Sequence, residues 1–126
     1  MMHLKIERIY GNEADPETYR ILIDRLWPRG ISKEKAQLDE WAKEIAPSTE
    51  LRRWFNHDPE KFTTFKQRYL TELAENPQTS DFIKLLQAKL AIQDVVLLYG
   101  AKNQQENQAT VLMAFLRQEL SQAFFE

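Results

Sequence analysis

A chain of 126 residues is the size of one domain, and 43% hydrophobic with 29% charged residues is a globular composition that excludes wholesale disorder. The net charge of -2 lacks the basic excess of a dedicated nucleic-acid binder, and the absence of cysteine excludes disulfides, thiolate metal sites and a cysteine nucleophile. No apolar run approaches the roughly 20 residues of a membrane helix and no signal-peptide core opens the chain, so a cytoplasmic protein without membrane contact is expected.

Leu4-Lys5-Ile6-Glu7-Arg8-Ile9-Tyr10 alternates as a half-exposed edge strand does, with Leu4 and Ile6 inward and Lys5 and Glu7 toward water. Gly11 to Thr18 contains Asn12, Asp15 and Pro16 and reads as a loop. That loop is short for a parallel crossover, which leaves the first two strands either antiparallel neighbours or not adjacent. The next stretch, Arg20-Ile21-Leu22-Ile23-Asp24, begins as a strand buried on both faces. It runs into Arg25, Leu26, Trp27, Pro28, Arg29 and Gly30, so ionisable and aromatic groups gather at its carboxyl end. In open α/β sheets ligands bind at that end. Pro28 keeps Trp27 out of the helical region, and Gly30 supplies a turn.

Helical spacing then predominates for about sixty residues. Ser32 is placed to cap a short turn through Ala36, and Leu38, Trp41 and Ile45 fall on one helical face ending near Pro47. Ser48 is a good N-cap for a helix burying Leu51, Trp54 and Phe55. Asp58-Pro59-Glu60 combines a capping carboxylate, proline at the first position and a negative first turn. The helix that follows presents Phe62, Phe65, Tyr69 and Leu73 until Asn76-Pro77. Ser80 is the predicted cap of another, carrying Phe82, Leu85, Leu86 and Leu90.

Asp94-Val95-Val96-Leu97-Leu98-Tyr99 is the second buried-strand run and suits a central parallel strand. Residues 20–24 and 95–99 are therefore expected to pair in parallel, with the helical segment between them as the crossover. Gly100-Ala101-Lys102-Asn103 turns into a final helix with Ala109, Leu112, Phe115, Leu116 and Leu120 inward. A strand, a glycine, a lysine and a helix amino terminus make a plausible anion cradle. The spaced glycines of a Walker loop or a dinucleotide fingerprint are missing, so it is neither motif and the cofactor is unknown. Phe124 and Phe125 close the chain and should dock on the domain or form a homodimer contact; monomer and homodimer both remain open.

Tyr19 to Gly30, with its Asp-Arg-Leu-Trp-Pro-Arg-Gly core, is followed by Leu38-Asp39-Glu40-Trp41 and by Ala46-Pro47-Ser48-Thr49-Glu50-Leu51-Arg52. With His57-Asp58-Pro59 and Leu97-Leu98-Tyr99-Gly100-Ala101-Lys102, these segments resemble the YeaO-like proteins of the domain-of-unknown-function 488 family. The resemblance runs in order along nearly the whole chain. It implies a small bacterial α/β protein and brings no assigned reaction with it. The family pattern often has aspartate where Asn103 stands and histidine where Glu106 stands, so acid-base chemistry at those positions does not carry over.

The expected fold is a single α/β domain over residues 1–126, a small, mainly parallel sheet flanked by several helices. Asp24, Arg25, Trp27, Arg29, Tyr99, Lys102 and Asn107 are the candidate ligand-binding residues around a cleft at the carboxyl ends of the two buried strands. Arg25 and Arg29 either pair with Asp24, Asp39 or Glu40, or grip a carboxylate, phosphate or base by fork geometry and stacking. Asn107 is expected to hydrogen-bond locally near the helix start. His57 precedes a helix cap, where a structural role is the better reading, and His3 and His57 form no metal-ligand cluster. The expectation is an enzyme or binder that acts on or holds a small anionic, phosphate- or nucleotide-like molecule in that cleft. The alternatives are a nucleic-acid module using Arg25, Arg29, Arg52, Arg53 and Lys102, and a protein-interaction module whose charged cluster is structural.

Overall fold

A computed structural model describes residues 2–125. Strand β4 (Val95–Tyr99) is buried at all five positions because it is paired on both sides. Strand β1 (Leu4–Arg8) lies along one side and β2 (Tyr19–Leu22) along the other. A two-residue strand, β3 (Glu40–Trp41), pairs with the outer side of β2. The described residues thus form one all-parallel sheet in the order β1-β4-β2-β3. The first two strands are not adjacent: their connection passes over β4. As an edge strand β1 buries Leu4, half-buries Ile6 and leaves Lys5 exposed.

Alternation along the strands divides the core. Ile21, Ile23, Val95, Leu97 and Tyr99 contribute to a large cluster shared with the longer helices. Leu22, Val96 and Leu98 join Ile9 and Ala36 in a smaller cluster, against which Trp27, Ile31, Leu38 and Trp41 pack. Helices α2 (Thr49–Phe55), α3 (Phe62–Glu75), α4 (Gln78–Leu90) and α5 (Gln108–Glu119) supply the large cluster. The short helix α1 (Lys33–Ala36) and the loops around it cover the other face.

Capping explains most helix starts. The Ser32 side chain accepts from the Lys35 amide, Ser48 from Leu51 and Asp58 from Glu60. The Asp58-Pro59 signal produces one turn of 3-10 helix (Pro59–Lys61), which leads directly into α3. Phe65, Tyr69 and Leu73 are buried along α3, and Phe55 stacks on Phe65 at 4.1 Å between ring centroids.

Three expectations are corrected. Leu38, Trp41 and Ile45 do not share a helix, because residues 39–42 are captured by the edge of the sheet. Asp39 N–H donates to the Arg20 carbonyl and Ala42 N–H to that of Leu22, while the Trp41 indole donates to the Asp24 carbonyl at 2.8 Å. Tertiary hydrogen bonds override the local period there, and only a 3-10 turn (Lys43–Ile45) follows. Ser80 does not start α4. The helix begins at Gln78, whose amide donates to the Asn76 side chain, so Ser80 lies within it. Finally, α5 begins at Gln108 and not near Asn103. Asn107, completely buried, accepts from the amides of Ala109 and Thr110, and Thr110 returns a capping-box contact.

The terminal aromatics Phe124 and Phe125 lie in a 3-10 turn (Gln122–Phe125) and pack, partly buried, against the large cluster. No helix among the described residues is long and apolar enough to cross a membrane.

The Asn107 cap offers a direct test. Asn107→Ala removes the acceptor of two helix amides at a buried position, and should cost about 1–2 kcal/mol in urea unfolding. A change within the error of the measurement would mean that α5 does not depend on this cap.

Candidate functional site

Parallel pairing sets Leu22 opposite Leu98 and Arg8 opposite Tyr99, so the chain leaves β1, β2 and β4 at the same edge of the sheet. A cleft of about 890 Å³ opens there. One wall comes from the segment after β2, with Asp24, Arg25, Leu26, Trp27, Pro28 and Arg29. The end of α2 and its following turn contribute Arg52, Arg53, Phe55, Asn56 and His57. Gly100, Ala101, Lys102 and Asn103 continue from β4, Arg8 and Tyr10 from β1, and Gln108 from the first turn of α5.

Asp24 joins the two central strands across this edge. One carboxylate oxygen accepts the Gly100 amide at 2.8 Å, and the other accepts from the Gln108 side chain in a short contact. A Cβ on Gly100 would stand 3.3 Å from the Asp24 carboxylate and 3.5 Å from the Tyr10 ring, so a side chain there would crowd both. Burial raises the Asp24 carboxyl above its ordinary value, opposed by the hydrogen bonds from Gln108 and Gly100 and by nearby His57.

Arg25 is held by neutral partners. Its Nε donates to the Pro47 carbonyl at 2.9 Å and a terminal nitrogen to the Ala46 carbonyl at 3.3 Å. The guanidinium therefore fixes the segment between β3 and α2 while lining the cleft. Arg8 similarly donates to the Ala101 carbonyl at 3.0 Å and lies over the Tyr10 ring. The Arg52 Nε is buried without a hydrogen-bond partner among the described residues. Arg29, Arg53 and Lys102 are exposed at the rim.

The expected pairing of Arg25 or Arg29 with Asp24, Asp39 or Glu40 does not form. The ion pair found among the described residues, Lys5 with Glu7, lies elsewhere, on the edge strand β1. Arg8, Arg25, Arg29, Arg52, Arg53 and Lys102 therefore share a cleft in which, among the described residues, Asp24 is the sole carboxylate of the lining. A chain of net charge -2 has concentrated positive charge at one edge of its sheet.

Trp27 stands in this wall with its ring fixed. Its indole donates to the Ile31 carbonyl at 2.7 Å, and the ring meets Trp41 edge-on at 5.4 Å between centroids. His57 also faces the cleft, from a left-handed backbone with φ of 57°, immediately after Asn56 at 46°. Of the seven candidates from sequence, Asp24, Arg25, Trp27, Arg29 and Lys102 come together here.

Tyr99 and Asn107 do not join the cleft lining. Tyr99 points into the large core cluster, and burial raises its phenol. Asn107 is occupied by the first turn of α5. Because its side chain already takes the Ala109 and Thr110 amides, the expected cradle of free helix amides beginning at Asn103 is corrected. Asn103 instead makes a tight turn, accepting from the amides of Gln105 and Glu106. Arg8, Tyr10, Gly100 and Gln108 were absent from the candidates; Arg8 and Gly100 could have been found as the residues ending β1 and following β4. Among the described residues no cluster of His, Asp or Glu could hold a metal ion.

A small all-parallel α/β protein with a cationic cleft at its strand ends is thus the class that fold and geometry define. Residues 3–124 match the model of a family described as the inactive DUF488-N3 subclade, and the chain belongs to the DUF488 family, in its YeaO-like group. It is 45% identical over 116 residues to the uncharacterized protein YeaO of Escherichia coli K12, covering 92% of this chain and 98% of that protein. It is also 38% identical over 82 residues to the uncharacterized protein Rv3073c of Mycobacterium tuberculosis H37Rv, covering 65% of this chain and 70% of that protein. No solved structure matches.

The buried carboxylate gives a pH-dependent expectation. A folded-state value raised above the unfolded one means that Asp24 favours folding when protonated, and that this contribution is lost as pH rises through the folded value. Asp24→Asn has no charge to bury, so its melting temperature relative to wild type should increase between pH 4 and pH 7. A difference that stays constant or falls over that range would contradict the burial argument.

Proposed function

We propose that this protein binds a small phosphate-bearing or nucleotide-like anion in the cleft between the ends of β2 and β4. The observation that carries the reading is charge without internal compensation. Six cationic side chains line the cleft and none is within ion-pair distance of a carboxylate among the described residues. A structural cluster would pair its arginines with acids, whereas Arg25 and Arg8 are anchored on neutral carbonyls and keep their charge for another partner. Arg52, another residue of the lining, has an Nε without a hydrogen-bond partner among the described residues and so holds a donor in reserve. Trp27, locked edge-on against Trp41, offers an apolar wall for a planar group.

The reading is of binding without turnover. The amide of Asn103 has no titration near neutral pH with which to serve as a general acid or base, and its oxygen is committed to the turn amides. The matching family description as an inactive subclade supports that reading.

Titration calorimetry with inorganic phosphate and adenosine 5′-monophosphate tests this. Wild type should bind phosphate weakly and the nucleotide more tightly, because stacking adds to ionic contact. Lys102→Ala removes an exposed cation and should weaken both by several-fold without moving the melting temperature. Arg25→Ala should abolish detectable binding and destabilise the protein by about 1–3 kcal/mol, since the Ala46 and Pro47 carbonyls lose their donor. Absence of binding by wild type at millimolar ligand would overturn the proposal. Tight association with duplex DNA that falls steeply with salt would transfer it to a nucleic-acid surface.

A further inference from the structure

The cleft is large for one phosphate. Its volume of about 890 Å³ is in the range of sites that enclose whole organic ligands, roughly 300–1,000 Å³. Its lining also has a chemical polarity that a bare anion does not match: the single carboxylate of Asp24 stands among the cations. An anion placed between them is drawn by Arg25, Arg52 and Lys102 and repelled by ionised Asp24. A molecule with a hydrogen-bond donor at one end and a phosphate at the other satisfies both.

Asp24 is built for that task. The Gly100 amide takes one oxygen and Gln108 the other, so the carboxylate is held in one orientation. A carboxylate offers about four acceptor sites, so each oxygen retains capacity for a ligand donor. The close approach at Gly100 keeps this arrangement tight, because any side chain there would press on the Asp24 oxygen.

We infer that Asp24 reads a hydroxyl of the bound ligand, making the occupant a phosphorylated polyol, such as a sugar phosphate or the sugar phosphate of a nucleotide. This rests on the anion-binding reading above and adds the second recognition element. Ribose 5-phosphate and butyl phosphate separate the two, since each carries one phosphate monoester and only the sugar carries hydroxyls. On wild type, ribose 5-phosphate should bind about tenfold more tightly than butyl phosphate, the scale of one hydrogen bond to a charged group. Asp24→Asn should tighten butyl phosphate, by removing a negative charge, and reduce the preference for ribose 5-phosphate to within about twofold.

The substitution suits the site. Asparagine can keep its oxygen on the Gly100 amide and turn its amide nitrogen to the Gln108 side chain, whose own amide can flip to accept. The wild-type comparison of the two ligands needs no variant and keeps the inference open to refutation if Asp24→Asn fails to fold. Equal affinity of wild type for both phosphates would overturn the hydroxyl reading and leave the anion site intact. So would a preference for ribose 5-phosphate that Asp24→Asn retains. Binding of neither phosphate by wild type would overturn the anion site itself.

Discussion

The hydrogen bond from the Gly100 amide to Asp24 is the point on which the site depends. Parallel strands end at the same edge with their backbone groups unspent, and β2 and β4 are neighbours in this sheet. Asp24 spans them with one oxygen and reaches α5 through Gln108 with the other, tying two strand ends and a helix into one rigid corner. The Asp24 carbonyl accepts the Trp41 indole, which adds the β3 edge to the same corner. Arg25, the next residue, then ties the segment before α2 to the same edge through the Ala46 and Pro47 carbonyls.

Charge in the molecule is arranged by position more than by amount. A net charge of -2 conceals a cleft lined by six cations and one acid. Arginine fits this better than lysine because it can spend two donors on backbone carbonyls and remain a cation. Arg25 does so on Ala46 and Pro47, and buried Arg20 does so on the Ala36 carbonyl and the Asn12 side chain. The difference between them is exposure. Arg20 lies within the sheet cover, where burial lowers its basicity, whereas Arg25 faces the cleft. Arginine is thus used in one place to hold the fold together and in the other to hold it while offering charge.

How much of this was legible in the sequence depended on range. Two uninterrupted apolar runs announced β2 and β4, and their expected parallel pairing is found, because such runs suit only strands covered on both faces. Ser48 and Asp58 marked helix starts through contacts within three residues, which the chain itself displays. Trp41 misled because its spacing to Leu38 and Ile45 is helical, while its conformation is decided by Leu22 and Asp24, far away in sequence. Tyr99 misled through alternation: it ends β4 but points to the core side of the sheet. Arg25 and Arg29 were legible as cations and not as unpaired ones, because absence of a partner is a property of the folded chain alone.

The turn after α2 carries a cost that its composition conceals. Asn56 and His57 occupy successive left-handed conformations, and neither is glycine. Asparagine tolerates that region, and it is the ordinary way for a helix to end. A second left-handed residue is less common, and for a side chain larger than glycine the conformation costs roughly 1–2 kcal/mol. Glycine at 57 would relieve that strain, and the chain carries an imidazole there instead. The backbone is therefore held against its own preference in a turn whose exposed imidazole reaches the rim of the cleft, so strain and cleft lining meet at one residue.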